Sequence, residues 1–79
     1  MFHFKIHAMT DIDYKKQDQI AIKTYLEKFP DGVDVDDIIE NAGANRLRVY
    51  SILIEMYFDK QLEVMKESEL GSFLRVKLK

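Results

Sequence analysis

The chain has no cysteine and no tryptophan, one proline and three glycines in 79 residues. Without cysteine there is no disulfide framework, no thiolate metal site and no thiol nucleophile. His3 and His7 are the whole imidazole supply, so metal binding would have to lean on carboxylates, and no cofactor is implied. No apolar run approaches the roughly 20 residues of a membrane-spanning helix. The first residues lack the basic-then-apolar order of a signal peptide, and the expectation is a cytoplasmic protein with no membrane contact. A dominant charge is missing too, since 12 Lys and Arg stand against 14 Asp and Glu. Residues 1 to 43 hold five lysines and nine acids, while residues 44 to 79 hold seven basic residues and five acids. Proteins that hold nucleic acid by electrostatics alone usually carry a stronger excess of positive charge.

Hydrophobic residues make up 47% of the chain, which argues for one globular domain, residues 1–79, and against disorder. A domain this short buries only about 60% of its unfolded surface, so every apolar face matters. Phe2, Phe4 and Ile6 alternate with His3, Lys5 and His7, the period-two pattern of a half-buried strand over residues 1–9. The two histidines then share a solvated face. Thr10, Asp11 and Asp13 offer helix caps. From Tyr14 to Phe29 the spacing of Ile22, Tyr25, Leu26 and Phe29 predicts a helix, with Tyr14 extending the stripe. Phe29-Pro30-Asp31-Gly32 ends it, and Val33 suits a brief extended contact. Asp34 caps a short second helix that buries Val35, Ile38, Ile39 and Ala42 and ends at Gly43.

Asn45 caps a longer third helix, Arg46 to Phe58, that is apolar on two sides. Val49, Ile52, Leu53 and Met56 share one face, and Leu47, Tyr50, Ile54, Tyr57 and Phe58 lie nearly opposite. A surface helix normally carries one apolar stripe. The first stripe serves the domain core. The second has two candidate covers: the Phe2/Phe4/Ile6 segment, or a partner molecule. Gln61 to Lys66 and Ser72 to Leu78 then alternate around a turn at residues 67–71 and predict a β-hairpin. Met65 and Phe73 fall on its side away from the core.

Helix, short helix, Gly-containing turn, long helix and hairpin is an order that resembles the winged helix-turn-helix domains of transcriptional regulators. The matching text is Phe29 to Ile38, Gly43 to Leu53, and Leu62-Glu63-Val64 leading into the wing. The resemblance implies an α+β winged helix-turn-helix fold of three helices and a C-terminal β-hairpin wing. Residues 14–58 form the helical core and 61–78 the wing, with the N-terminal strand a candidate third strand of the sheet. It further implies a third helix that enters the DNA major groove. On that reading Asn45, Arg46, Arg48, Tyr50 and Ser51 contact double-stranded DNA from the helix, and Arg75 and Lys77 from the wing. Arginine can bond guanine, asparagine can bond adenine, and hydroxyls can reach phosphate.

Three residue patterns depart from a DNA reader. Ile54 and Tyr57 make the outer helix face apolar, Glu67 and Glu69 place negative charge at the wing tip, and Lys60 stands where the family often has glycine. The first two point toward protein contact, but a dimer could use the apolar stripe for pairing and the arginines for DNA. With the resemblance, the expected function is a non-enzymatic, DNA-binding regulator acting as a homodimer. The alternative is a protein-interaction module whose interface is Leu47, Tyr50, Ile54, Tyr57 and Phe58, since aromatics are enriched in such contacts. For Arg46 and Arg48 the competing use is a salt bridge to Glu40 or Asp37. Asp34, Asp36, Asp37 and Glu40 lack the glycine and terminal glutamate of a calcium loop, and helix capping accounts for three of them. No catalytic group is assigned.

Overall fold

The computed structural model describes the backbone from Phe2 to Lys79 and the side chains from Tyr14 onward. The elements run α1 (Phe2–Glu27), β1 (Val33–Asp34), α2 (Val35–Asn41), α3 (Arg46–Phe58), β2 (Leu62–Glu67) and β3 (Phe73–Leu78). The described residues thus form an α+β structure, with three helices and one three-stranded antiparallel sheet in the order β1-β3-β2.

The expected strand over residues 1–9 is not formed, because α1 already runs from Phe2. The helical core begins there rather than at Tyr14. No proline or glycine lies between Phe2 and Phe29. Thr10, Asp11 and Asp13 each cost only about 0.5–0.7 kcal/mol inside a helix, too little to stop one. They lie within α1 and do not cap it. The third place in the sheet is taken instead by β1, where Val33 pairs with Val76 and Asp34 with Arg75. Whether Phe2, Phe4 and Ile6 cover the second face of α3 lies outside the described side chains.

The core collects Ile22 and Leu26 from α1, Val33 from β1 and Val35 and Ile38 from α2. Leu62 and Val76 come from the hairpin, and Val49, Ile52, Leu53 and Met56 from α3. α3 supplies the largest share, so it is the element on which the others converge. Val76 on the central strand lies between Val33 and Val64 in register and is fully buried. No polar or charged side chain joins the core among the described residues. The α1 stripe is placed as its spacing predicts at Ile22 and Leu26. Tyr25 and Phe29 pack ring to ring at 5.0 Å near its end, while Tyr14 is largely exposed.

Local turns follow the residues available. Gly43 follows α2 with φ of +81°, a conformation that glycine adopts without a side-chain penalty. Asp34 stands at the N-cap of α2 but makes no capping bond. Its carboxylate instead accepts from Arg75 Nη1 at 2.9 Å, because the β1–β3 register places the two residues opposite one another. After α3, the Lys60 N–H donates to the Tyr57 carbonyl at 3.0 Å and the Gln61 N–H to the Met56 carbonyl at 2.9 Å. This is a Schellman end, with Lys60 in the left-handed region at φ 63°. A residue with a Cβ is strained there. Lys60→Gly is expected to stabilise the domain by about 0.5–1 kcal/mol, read as a raised urea midpoint at unchanged slope. A loss of stability would show that the lysine side chain contributes more than its backbone strain costs.

Candidate functional site

α3 runs with its buried face of Val49, Ile52, Leu53 and Met56 toward the core. Its two flanks are held by different elements. On one flank, Arg48 Nη1 donates to Asp18 Oδ2 at 2.9 Å, and Glu55 accepts from Lys15 Nζ at 2.9 Å and from Gln19 Nε2 at 3.4 Å. That flank therefore lies against α1. On the other flank, the Tyr50 hydroxyl accepts from the Phe73 N–H at 2.6 Å. The Phe73 ring sits 5.6 Å from Tyr50 and 5.4 Å from Tyr57, so that flank lies against the hairpin. Phe73 does not simply point away from the folded body, as the strand alternation suggested. The shifted register between Val64 and Glu67 changes which faces the hairpin presents, and bulges of this kind re-aim side chains.

Between the flanks, the side directed away from the domain carries Leu47, Ser51, Ile54 and Phe58. Leu47 is 90% exposed and Phe58 74% exposed, Ser51 is exposed, and Ile54 is half-buried. No charged residue stands on this line. Tyr57, 44% exposed, joins it to the hairpin. Of the expected interface residues, Leu47, Ile54 and Phe58 are brought together on the outward side. Tyr50 and Tyr57 form its aromatic edge with Phe73.

The expected DNA contacts are distributed differently. The Asn45 side chain accepts from the Leu47 N–H at 2.9 Å and caps α3. Arg46 Nη2 pairs with Glu40 Oε1 at 2.9 Å, one of the two alternative partners expected from the sequence. Ser51 Oγ donates to the Arg48 carbonyl at 3.1 Å. Arg75 bonds both the Asp34 carboxylate and the Gly32 carbonyl, tying β3 to the segment before α2. Lys77 faces Glu63 across the hairpin at 3.9 Å. Each candidate cation on α3 and the hairpin thus has a partner inside the domain. The exposed pairs Arg46–Glu40, Arg75–Asp34 and Lys77–Glu63 contribute only about 0–1 kcal/mol each, so they offset the local charge more than they lock the side chains. Arg48–Asp18, by contrast, is part-buried. The sequence could not assign Asp18 to Arg48 or Asp34 to Arg75. Those partners are distant along the chain and meet only through helix packing and strand register.

A half-open groove of about 250 Å³ lies where α1 meets the end of α3, lined by Gln19, Ile20, Lys23, Glu55, Asp59 and Gln61 among others. Its one lysine and two carboxylates leave it without a dominant charge, and it contains neither serine nor histidine. Among the described residues no three His, Asp or Glu side chains are grouped to hold a metal ion. No described helix is long and apolar enough to cross a membrane.

Comparison with family models, curated proteins and solved structures found no match to this chain.

Proposed function

We propose that this chain is a non-enzymatic module of winged-helix type that works by protein contact through the outward side of α3. The winged-helix reading is supported by three features: the order helix, strand, helix, helix, strand, strand, the short turn between α2 and α3, and the β1-β3-β2 sheet. The observation that carries the protein-contact reading is the uncharged line Leu47, Ser51, Ile54 and Phe58. It occupies the side that a helix of this type would present to a DNA groove. Phosphate contacts dominate the affinity of DNA-binding proteins, and this side has no cation to make them. Exposed apolar side chains in a row are costly in water and are a common mark of a protein contact. On this reading the module has no catalytic group and no cofactor, and it resides in the cytoplasm.

DNA binding is the second reading, favoured by Arg46, whose side chain is 67% exposed at the start of α3. The two readings separate in a titration of a labelled 20-base-pair duplex, followed by fluorescence anisotropy at low and moderate salt. The protein-contact reading expects no saturable binding tighter than the roughly 10⁻⁴ M seen for weak non-specific association. Micromolar binding that weakens steeply with salt, and falls further in Arg46→Ala and Arg48→Ala, would restore the DNA reading.

A further inference from the structure

The outward line of α3 reads the same in both directions. Leu47, Ser51, Ile54 and Phe58 are separated by four, three and four residues. Turned end for end, the line superimposes on itself, with Leu47 meeting the position of Phe58 and Ser51 that of Ile54. The α1-side flank is complementary to itself in charge, since turning it end for end brings its positive end against its negative end. Arg48 stands near the start of α3, and Glu55 and Asp59 near and just past its end. Arg48 and Glu55 both bond α1, and Asp59 lines the groove beside it.

Resting on the protein-contact reading above, we propose that the occupant of this side is a second copy of the chain. Its α3 lies antiparallel across a two-fold axis that passes between Ser51 and Ile54. In a two-fold pair the same flank of each helix meets its counterpart, as an isologous contact requires. At a rise of about 1.5 Å per residue, Arg48 of one copy then falls within about 3 Å, along the axis, of both Glu55 and Asp59 of the other. The guanidinium has five N–H groups, and Asp18 takes one of them, so the remainder can serve the second copy. On the hairpin flank, the Tyr50, Tyr57 and Phe73 rings of each copy meet their counterparts. Ser51 at the seam is small enough to admit the Ile54 side chain opposite it, and facing helices approach to about 8–10 Å. A parallel two-fold pair would instead turn the Arg48 and Glu55 flank of each copy toward the Tyr50 and Tyr57 flank of the other, where these charges meet no opposite charge on α3. The charge pattern therefore selects the antiparallel arrangement as well as the partner.

The test uses the full chain, in which a single introduced cysteine has no competitor. Light scattering over a concentration series is expected to give a dimer for the wild type. Leu47→Glu and Phe58→Glu should each raise the dissociation constant roughly thirtyfold or more, the size of losing an interface anchor. Leu47→Ser is the milder companion variant, since a side chain this exposed can change without loss of the fold, and circular dichroism checks each variant. Ser51→Cys should form an intermolecular disulfide under mild oxidation in dilute solution, whereas Glu69→Cys at the hairpin tip should not. A wild-type monomer at all concentrations overturns the proposal. So does a dimer that survives both glutamate substitutions and leaves Ser51→Cys uncrosslinked. Neither result touches the protein-contact reading, which falls only if duplex DNA binds in the titration above.

Discussion

Leu53→Ala is expected to destabilise the domain by about 3 kcal/mol, within the 2–5 kcal/mol typical of removing a buried leucine side chain. Leu53 is fully buried and belongs to the α3 face on which helices and sheet converge. Part of the loss is transfer of the missing isopropyl group, and part is the cavity left when the surrounding elements cannot close over it. For a domain of 60–100 residues each kcal/mol shifts the melting temperature by about 4–8 °C, so a fall of roughly 12–24 °C is expected. Thermal melting and urea titration would both report it. Leu47→Ala, six residues earlier on the same helix, is expected to change stability by less than about 0.5 kcal/mol, as surface substitutions usually do. The contrast is the useful result. Both residues are leucines of one helix, and only the direction of the side chain separates them. A loss under 1 kcal/mol at Leu53, or a loss of comparable size at Leu47, would mean that the two faces of α3 have been assigned the wrong way round.

Gly32→Ala is expected to cost about 1–3 kcal/mol, the range for holding a residue in a sparsely populated backbone region. Gly32 has φ of +106°, closes the turn after α1 through its N–H to the Phe29 carbonyl at 2.9 Å, and leads directly into β1. Its own carbonyl accepts from Arg75 Nη2 at 3.0 Å. An alanine Cβ would also run into the Met65 sulfur and lie 3.4 Å from Arg75 Nε. Met65 is partly exposed and its thioether is the far end of a flexible chain, so it can move aside at modest cost. The backbone is therefore the larger part of the penalty. Introducing Met65→Ala together with Gly32→Ala separates the two contributions. If the backbone dominates, the double variant recovers no more than a few tenths of a kcal/mol beyond the sum of the single effects, the usual limit of additivity. Recovery of most of the loss would assign the penalty to the collision. Because Gly32 immediately precedes Val33 of the sheet and its carbonyl accepts from Arg75, its substitution is expected to loosen β1 before the rest of the fold. Hydrogen exchange at the β1–β3 pairs would show this as early loss of protection.

Most of the fold was legible in the pattern of residue types. The 3.6-residue spacing of Val49, Ile52, Leu53 and Met56 marks a buried helical face, and these four side chains are buried. Asn45 before that helix, Gly43 after the preceding one, and Pro30-Asp31-Gly32 after α1 place the breaks. The observed bounds of α3, Arg46–Phe58, agree with them. Alternation about Leu62-Glu63-Val64 and Arg75-Val76-Lys77 identifies the hairpin. The N-terminal reading failed because six residues of alternating polarity suit a half-buried strand but do not forbid a helix. Nothing between Phe2 and Tyr14 breaks one, so continuity with the strong helical stripe at Ile22 and Leu26 decided the matter. The short β1 was visible only as Val33, a single apolar residue after a turn, with no sign of the strand it would join.

The candidate surface was half visible. Leu47, Ile54 and Phe58 announce a second apolar side by spacing alone, because direction around a helix is set by sequence position. How the cations are used is a different kind of fact. Arg48 with Asp18 and Arg75 with Asp34 are 30 and 41 residues apart in the chain. Side chains that far apart meet only when helix packing and strand register bring them together, and no local pattern carries that information. Phe73 against Tyr50 and Tyr57 likewise depends on how the hairpin folds back along α3. The sequence by itself determined which residues share a face, because a helix or strand period is a local property of the backbone. Only the tertiary structure decided which face stays open and which charges are already answered, because those depend on contacts between segments distant in the chain.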